Sequence, residues 1–568
     1  MKIRTLLLAL ALSAFSLSTQ AEAREALTRE FLESSAPMPA LVSMAAFAPS
    51  TDARAPSHVF RGGLSFDPAM QGFELHRDAL HYMGNSALRL RAPPRFEFEL
   101  VQSGDRLIPA LRGPIPSGHP QWEFALEAGR VWDEPGDGAM SRAALPFALI
   151  ETAANCTHNG VLTFLFDSDG HVSRVAWQIA SETCAYLQFD AWGVAEASYR
   201  AQAPNSDALI AADAAEQQAR METRPFAQLA VDHPGVDLSA FANPADIDPE
   251  ALTTFGLIAG GVHYAGACPT RAGPYPFCDA IDIPSYSLAK TLVGALSLMR
   301  LEQLYPGAMH EPIAAHVPAC ADWRDVTFEN ALDMATGRYN SPLDQVDEYA
   351  MTADVFFVTT QHARKIERAC TRFPRRASPG RRWVYHTADT YVLGAAMRDF
   401  WRARNGPEAD VFNDALVAGV YAPLHLSPTI RATRRTYDSV RQPFTGWGLT
   451  LMRDDIAKLG AWLASREHPG DLVAEAPLNA GLQRNPDDVG LRAGDATLRY
   501  NNGFWAYNAQ GPLDCPHPVW IPFLSGFGGI IVALMPNGVV YYYVSDGGDY
   551  VWARAARAAD AIAPMCPE

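Results

Sequence analysis

The sequence predicts an α+β protein in which a β-rich region precedes a second, mixed domain. Three observations point there. Residues before about 200 alternate apolar and polar, or run apolar into tight turns. Residues after about 250 open on an apolar strand, pass through helical spacing, and close on two strands and a helix. Between them, Glu222 to about Pro249 is rich in Pro and Asp and reads as a linker. At 568 residues the chain exceeds one ordinary domain, and 48% hydrophobic with 19% charged residues describes a globular protein. The expected boundaries are a leader over 1–23, a β-rich accessory domain over 24–225, and the mixed domain over 226–568.

Lys2 and Arg4 precede an apolar stretch, Leu6 to Leu17, that is too short for a membrane span. Ala21-Glu22-Ala23 then offers an A-x-A cleavage site. A cleaved signal peptide and a periplasmic or secreted bacterial protein are expected, with a retained N-terminal anchor as the alternative. No cysteine precedes Cys156, so a lipid anchor at the leader is not expected. No later run reaches the roughly 18 apolar residues of a membrane span. Eight cysteines in an exported chain suit disulfides. Sequence proximity pairs Cys156 with Cys184, Cys268 with Cys278, Cys320 with Cys370, and Cys515 with Cys566. Free thiols or a metal site are the alternatives, but no C-x-x-C or H-E-x-x-H spacing supports a metal. The net charge of −17 argues against a nucleic-acid partner.

Arg95 to Leu100 alternates as a strand does, and Val161 to Phe166 meets the turn Asp167–Gly170 before Val172 to Ile179 returns. That acidic turn lacks the remaining ligands of a calcium loop and reads as a plain hairpin. Asp207 to Met221 is a polar, Ala-rich helix candidate. Phe255 to Val262 reads as one buried strand. His263, at its end, reads as structural. Thr327 is a candidate N-cap for a helix that Gly337 stops. Asp454 to Leu463 is amphipathic. Gly528 to Leu534 and Val539 to Val544 form a hairpin, and Ala553 to Ile562 a closing helix.

One helix carries chemistry. Pro284 suits a helix edge, Ser285 is a candidate N-cap, and Leu288, Leu292, Leu296 and Met299 step at helical spacing. Ser287 and Lys290 are three apart and share a face. A serine hydroxyl is a weak nucleophile until a neighbouring base takes its proton. A lysine is such a base when burial keeps it neutral. The chain holds only four lysines, Lys2, Lys290, Lys365 and Lys458, so a serine three residues ahead of one is a rare event. Lys290 also falls inside an apolar helix, where a merely solvated lysine is out of place. The bland alternative is an incidental Ser and a surface Lys.

The second half resembles the serine β-lactamase and penicillin-binding-protein superfamily, and within it the class C-like esterase and 6-aminohexanoate-dimer-hydrolase branch. Ser285-Tyr286-Ser287-Leu288-Ala289-Lys290 is similar to the nucleophile helix, and Val326 to Gly337 to a helix ending in Thr/Ser-Gly. Tyr385-His386-Thr387 with Asp389-Thr390 and Leu393-Gly394 is similar to the second motif. Gly448-Leu449 leading to Asp454–Leu459 resembles another family helix. Ser525 to Gly529 stands where the third motif belongs. The resemblance spans about residues 250 to 565. It implies an antiparallel sheet flanked by helices, plus a helical subdomain. It departs from the family in Phe527, which stands where a cation would, in Thr387 where Asn is common, and in having no counterpart of the class A deacylation glutamate.

The function expected is an exported serine hydrolase that cleaves an ester or small amide. Ser287 is the nucleophile and Lys290 the general base. The resemblance implies Tyr385 as the proton relay, whereas its sequence context alone suits a core residue equally. The oxyanion would be held by the Ser287 N–H and by the turn at Phe527, Gly528 and Gly529. His386 reads as an exposed neighbour and Asp389 as a local hydrogen-bonder. The aromatic residues around the third motif and Phe504-Trp505 are candidate pocket walls. No metal or organic cofactor is needed, and the partner is a small molecule. Two alternatives stand: a β-lactamase or D-Ala-D-Ala peptidase, and a silent binding protein that keeps the fold.

Overall fold

The computed structural model describes residues 25–566 save 82–92, 153, 203–204, 350–355 and 468–471. The leader and its cleavage site lie outside these. Two large sheets organise the chain, and helices fill the space beside the second. The first sheet has eleven strands, antiparallel throughout, between Arg61 and Arg200. Its centre is three long strands, Ser141–Glu151, Thr157–Phe166 and Val175–Thr183, and every residue in them is buried. The last two are the expected hairpin. Alternate side chains point to opposite faces of a strand. Leu145, Leu162 and Phe164 pack into the sheet's own core. Ala144, Val161 and Ala176 face the other way and share a core with Ile283, Leu288 and Leu292 of the nucleophile segment. The first sheet is therefore packed directly onto the second half, not appended to it. Small residues on this face allow the close approach.

The second sheet has nine strands. Its middle runs Leu252–Ala259, Val540–Ser545, Ile530–Leu534, Trp520–Gly526 and Phe504–Asn508, all antiparallel. The C-terminal helix, Ala553–Asp560, covers one face. The helix Arg453–Ala464 packs on the other, against Ile530–Leu534 and Val540–Ser545. The α+β class and the closing hairpin and helix are as expected.

Three local expectations are corrected. Phe255 to Val262 is not one strand, because Gly260 and Gly261 adopt φ of +57° and +81° and turn Leu252–Ala259 back into Val262–Ala265. Glu222 to Pro249 is not a free linker. Thr223–Pro225 adds a parallel strand to the second sheet, and Leu229, Val236, Phe241 and Ile247 are buried in its core. The helix capped by Thr327 ends at Leu332, well before Gly337. The polar helix Ser206–Ala219 is present, and Asp213 and Glu216 tie it to Arg106 and Arg112 of the first sheet region.

Disulfides join Cys156 to Cys184, Cys268 to Cys278, Cys320 to Cys370 and Cys515 to Cys566, the pairing that sequence proximity suggests. Among the described residues no helix is long and apolar enough to cross a membrane.

Candidate active site

The nucleophile segment starts as a strand. Ile283–Pro284 pairs antiparallel with Thr450–Leu451, so Pro284 enters a two-residue strand and not a helix. Ser285 is not the N-cap. Its hydroxyl accepts from the Leu449 N–H at 3.1 Å and donates to Asn155 Oδ1 at 3.2 Å. Tyr286 takes φ of +40°, a conformation that costs a bulky residue energy and survives only where its surroundings impose it. The turn swings Ser287 out: it is partly exposed, while every residue from Ile281 to Met299 apart from it is buried. Helix follows, π-helical over Lys290–Ala295 and α-helical over Leu296–Leu304.

The structure brings Ser287, Lys290 and Tyr385 together. Lys290 Nζ lies 2.9 Å from Ser287 Oγ, and the Tyr385 hydroxyl donates to the same oxygen at 2.6 Å. Tyr385 comes from Trp383–His386, which joins no sheet and leads into the helix Thr387–Asn405. Its ring stacks on Trp505, centroids 6.1 Å apart, and Lys290 Nζ sits 4.6 Å from its ring centre. Burial pushes the Lys290 amine down to about 8, against the pull of the nearby Glu348 carboxylate. Burial pushes the Tyr385 phenol well above its usual range. A phenol so held keeps its proton and serves as donor.

Sequence reasoning missed Glu348. It lies on the loop before residue 350 and reaches the helix start, accepting from the Thr387 N–H at 3.0 Å and from the Thr387 hydroxyl. Thr387 Oγ1 in turn accepts from Lys290 Nζ at 2.8 Å. A chain of hydrogen bonds thus runs from Ser287 through Lys290 and Thr387 to a carboxylate. His386 is not exposed. It is 1% exposed, stacks on Phe373 at 4.0 Å and bonds Asp347 Oδ2 at 3.1 Å, which anchors the loop carrying Glu348. The hydrogen bond to Asp347 and the Asp389 carboxylate 3.6 Å from Nδ1 raise its imidazole to about 9, although burial opposes them. Asp389 also accepts from Thr336, as a local partner.

The third-motif turn packs against this segment. A β-carbon on Gly526 would sit 3.0 Å from the Ser285 carbonyl oxygen, so glycine permits the approach. Neither the Ser287 N–H nor the Phe527 N–H has a partner among the described residues. Gly528 and Gly529 differ: their N–H groups lie against the Tyr550 phenol, and that of Gly529 also donates to the Gly526 carbonyl at 3.4 Å. Phe527 offers a ring, 36% exposed, and no charge.

The first sheet supplies another residue that the sequence did not reveal. Asn155 Oδ1 accepts from the Tyr286 N–H and the Gly448 N–H, both at 3.0 Å, and from Ser285. It is fully buried beside the Cys156–Cys184 disulfide. Lys365 is also unforeseen. It is buried among the rings of Phe356, Phe444 and Trp447, with its amine 4.4 to 5.2 Å from their centres, and it donates to the Phe356 and Phe357 carbonyls. It fastens a segment whose Phe357 and Val358 reach the cavity described next.

A cavity of about 1030 Å³ opens on Ser287, at the upper end for small-ligand sites. Both halves of the chain line it, the first through Leu80, Glu151 and Tyr186 among others. Among the described residues, no group placed to hold a metal ion lines it. The group Cys156, His158 and Cys184 has its sulfurs in a disulfide, and in the group Glu74, His76 and Asp190 the aspartate already pairs with Arg271 and His76.

No family model matches the chain, and no curated protein matches it. Solved structures do. EstCE1, a hydrolase with promiscuous acyltransferase activity, is 16% identical over 62% of this chain and 99% of its own, with a TM-score of 0.41. The simvastatin synthase LovD of Aspergillus terreus is 14% identical over 57% of this chain and 96% of its own, with a TM-score of 0.39. A β-lactamase of Mycobacterium bovis is 17% identical over 56% of this chain and 96% of its own, with a TM-score of 0.34. At such identity and similarity, what the site does must follow from its own atoms.

Two of those atoms give a pH prediction. With the neutral Lys290 amine as the expected base, kcat/KM for an uncharged ester is expected to rise with pH along a limb centred near 8. The Glu348 carboxylate favours the ammonium form. Glu348→Gln removes that influence, lowers the amine further and moves the limb to lower pH. Rate profiles from pH 6 to 10 check this, and a limb that stays or moves up contradicts it.

Proposed function

We propose that the protein is an exported serine hydrolase of the serine β-lactamase/penicillin-binding-protein superfamily, acting on an uncharged ester or small amide through an acyl-enzyme. The carrying observation is that Ser287 Oγ stands at a cavity wall within hydrogen-bond reach of both a buried lysine amine and a phenol. Ser287 Oγ attacks the substrate carbonyl carbon as its proton passes to neutral Lys290. The carbonyl oxygen becomes an oxyanion facing the Ser287 and Phe527 N–H groups. The bond to the leaving alcohol or amine breaks, and that group takes the proton from Lys290 by way of the Tyr385 phenol. Water then adds to the acyl-enzyme, gives up a proton by the same route, and releases the acid and Ser287. The four disulfides suit the periplasm or the exterior.

The β-lactamase and peptidase readings need an anionic substrate held by a cation. Among the charged residues of the cavity, Arg77 faces Glu151, Asp344, Glu348 and Asp546, a balance that opposes an anion. A fluorophosphonate, which traps activated serines, tests the reading. One adduct is expected, on the peptide holding Ser287, located by mass spectrometry. Labelling elsewhere, or none, sinks it.

A further inference from the structure

The cavity is larger and more apolar than a short ester needs, and its apolar parts are ordered. A row of rings leads away from the nucleophile: Tyr385, Trp505, Phe523 and Trp552, with successive centroids 6.1, 6.0 and 5.5 Å apart. All four line the cavity. At the mouth, Leu80, Tyr349, Val358, Phe527, Tyr550 and Val551 also line it, yet each is 36% to 63% exposed. These six come from five separate segments that converge on one opening. Single exposed apolar residues are ordinary, but a contiguous apolar rim around a cavity marks where an apolar ligand lies.

Three of the acidic residues in the wall are already engaged. Glu151 accepts from the Tyr186 phenol, Glu348 from Thr387, and Asp546 from the Cys184 N–H at 2.9 Å. Burial raises Asp546 to about 7, so it adds full negative charge only above that pH. Arg77, the lone cation of the wall among the described residues, is exposed at the mouth.

Resting on the serine-hydrolase reading above, we propose that the substrate is an uncharged carboxylic ester with a long apolar chain. The carbonyl sits at Ser287, the chain runs over the aromatic row, and its far end lies against the rim. Hydrolysis turns the neutral ester into a carboxylate, which the same acidic wall then disfavours, so the field that excludes anionic substrates also assists product release.

The test is a series of p-nitrophenyl esters from acetate to octanoate, kept below micelle formation. A methylene that leaves water completely raises kcat/KM by up to about fourfold. A rise of tenfold or more across the series is expected. Leu80→Ser with Val551→Ser should shrink the octanoate-to-acetate ratio. A hemisuccinate ester, anionic and equal in chain length to the butyrate, should fall at least tenfold below it. A flat or falling series, or a hemisuccinate as good as the butyrate, overturns the proposal. Acetate hydrolysis that needs Ser287 would in that case leave the serine-hydrolase reading standing. Failure of every ester, with no adduct at Ser287, would remove both.

Discussion

Lys290→Ala is expected to lower kcat/KM for p-nitrophenyl acetate by about a thousandfold, the range of a lost general base. Ser287→Ala should bring turnover to the level of the protein-free reaction or slightly above it. The double variant should be no worse than Ser287→Ala alone, because a base has nothing to activate once its nucleophile is gone. This non-additivity separates a catalytic pair from two residues that merely share a fold. The structure makes the coupling direct: Lys290 Nζ reaches Ser287 Oγ at 2.9 Å, and its other close partner, Thr387, holds it there. Nitrocefin should remain untouched in all variants. Parallel thermal melts guard against a trivial loss, since Lys290 is buried and its removal leaves the Thr387–Glu348 pair without a cation. Additive losses, or acetate turnover that survives Ser287→Ala, would contradict the mechanism.

The pair that the residues alone revealed is local in its geometry, whereas Tyr385, 98 positions from Ser287, came only from the family resemblance. Ser287 and Lys290 meet because they stand three positions apart at the start of a helix, and the hairpins and the closing helix carry their turns and periods in the chain. The cysteine pairs are close in sequence too. Asn155 and Glu348 have no such signature. Each is a single polar residue in a loop, given its role by a partner 39 to 293 positions away. The packing of the first sheet was hidden for a related reason. Its central strands are buried on both faces, so they read as near-continuous apolar runs, and nothing in such a run says which face meets a second core. Ser285 misled for a different reason. Pro followed by Ser before an apolar helix is a fair capping signal, but the strand Thr450–Leu451 claims Pro284, and Leu449 claims the hydroxyl. The polar group went to a tertiary partner stronger than the local one.

In the proposed mechanism, Asn155 gives the first sheet a task in positioning the nucleophile. One buried oxygen accepts from Tyr286, Gly448 and Ser285, and so ties the residue before the nucleophile to the strand region behind it. Tyr286 sits at φ of +40°, so without that tie its backbone is free to relax toward the ordinary right-handed or extended regions, carrying Ser287 with it. A displacement near 1 Å at a reacting atom costs on the order of a hundredfold in rate. Asn155→Ala is accordingly expected to lower kcat by about a hundredfold with KM changed only severalfold, and to lower thermal stability as well, because two buried backbone donors lose their acceptor. Asn155→Asp keeps an oxygen in the same place. Among the described residues the amide nitrogen it replaces has no hydrogen-bond partner, so that side of the residue gives up nothing. Burial should hold the new carboxyl in its neutral form near neutral pH, and most of the lost kcat should return. A structural role alone would lower the melting temperature of Asn155→Ala and leave kcat per folded molecule intact, and that result would detach the first sheet from the chemistry. The fall in kcat with rescue by aspartate would establish that the nucleophile of the second half is set by a side chain of the first.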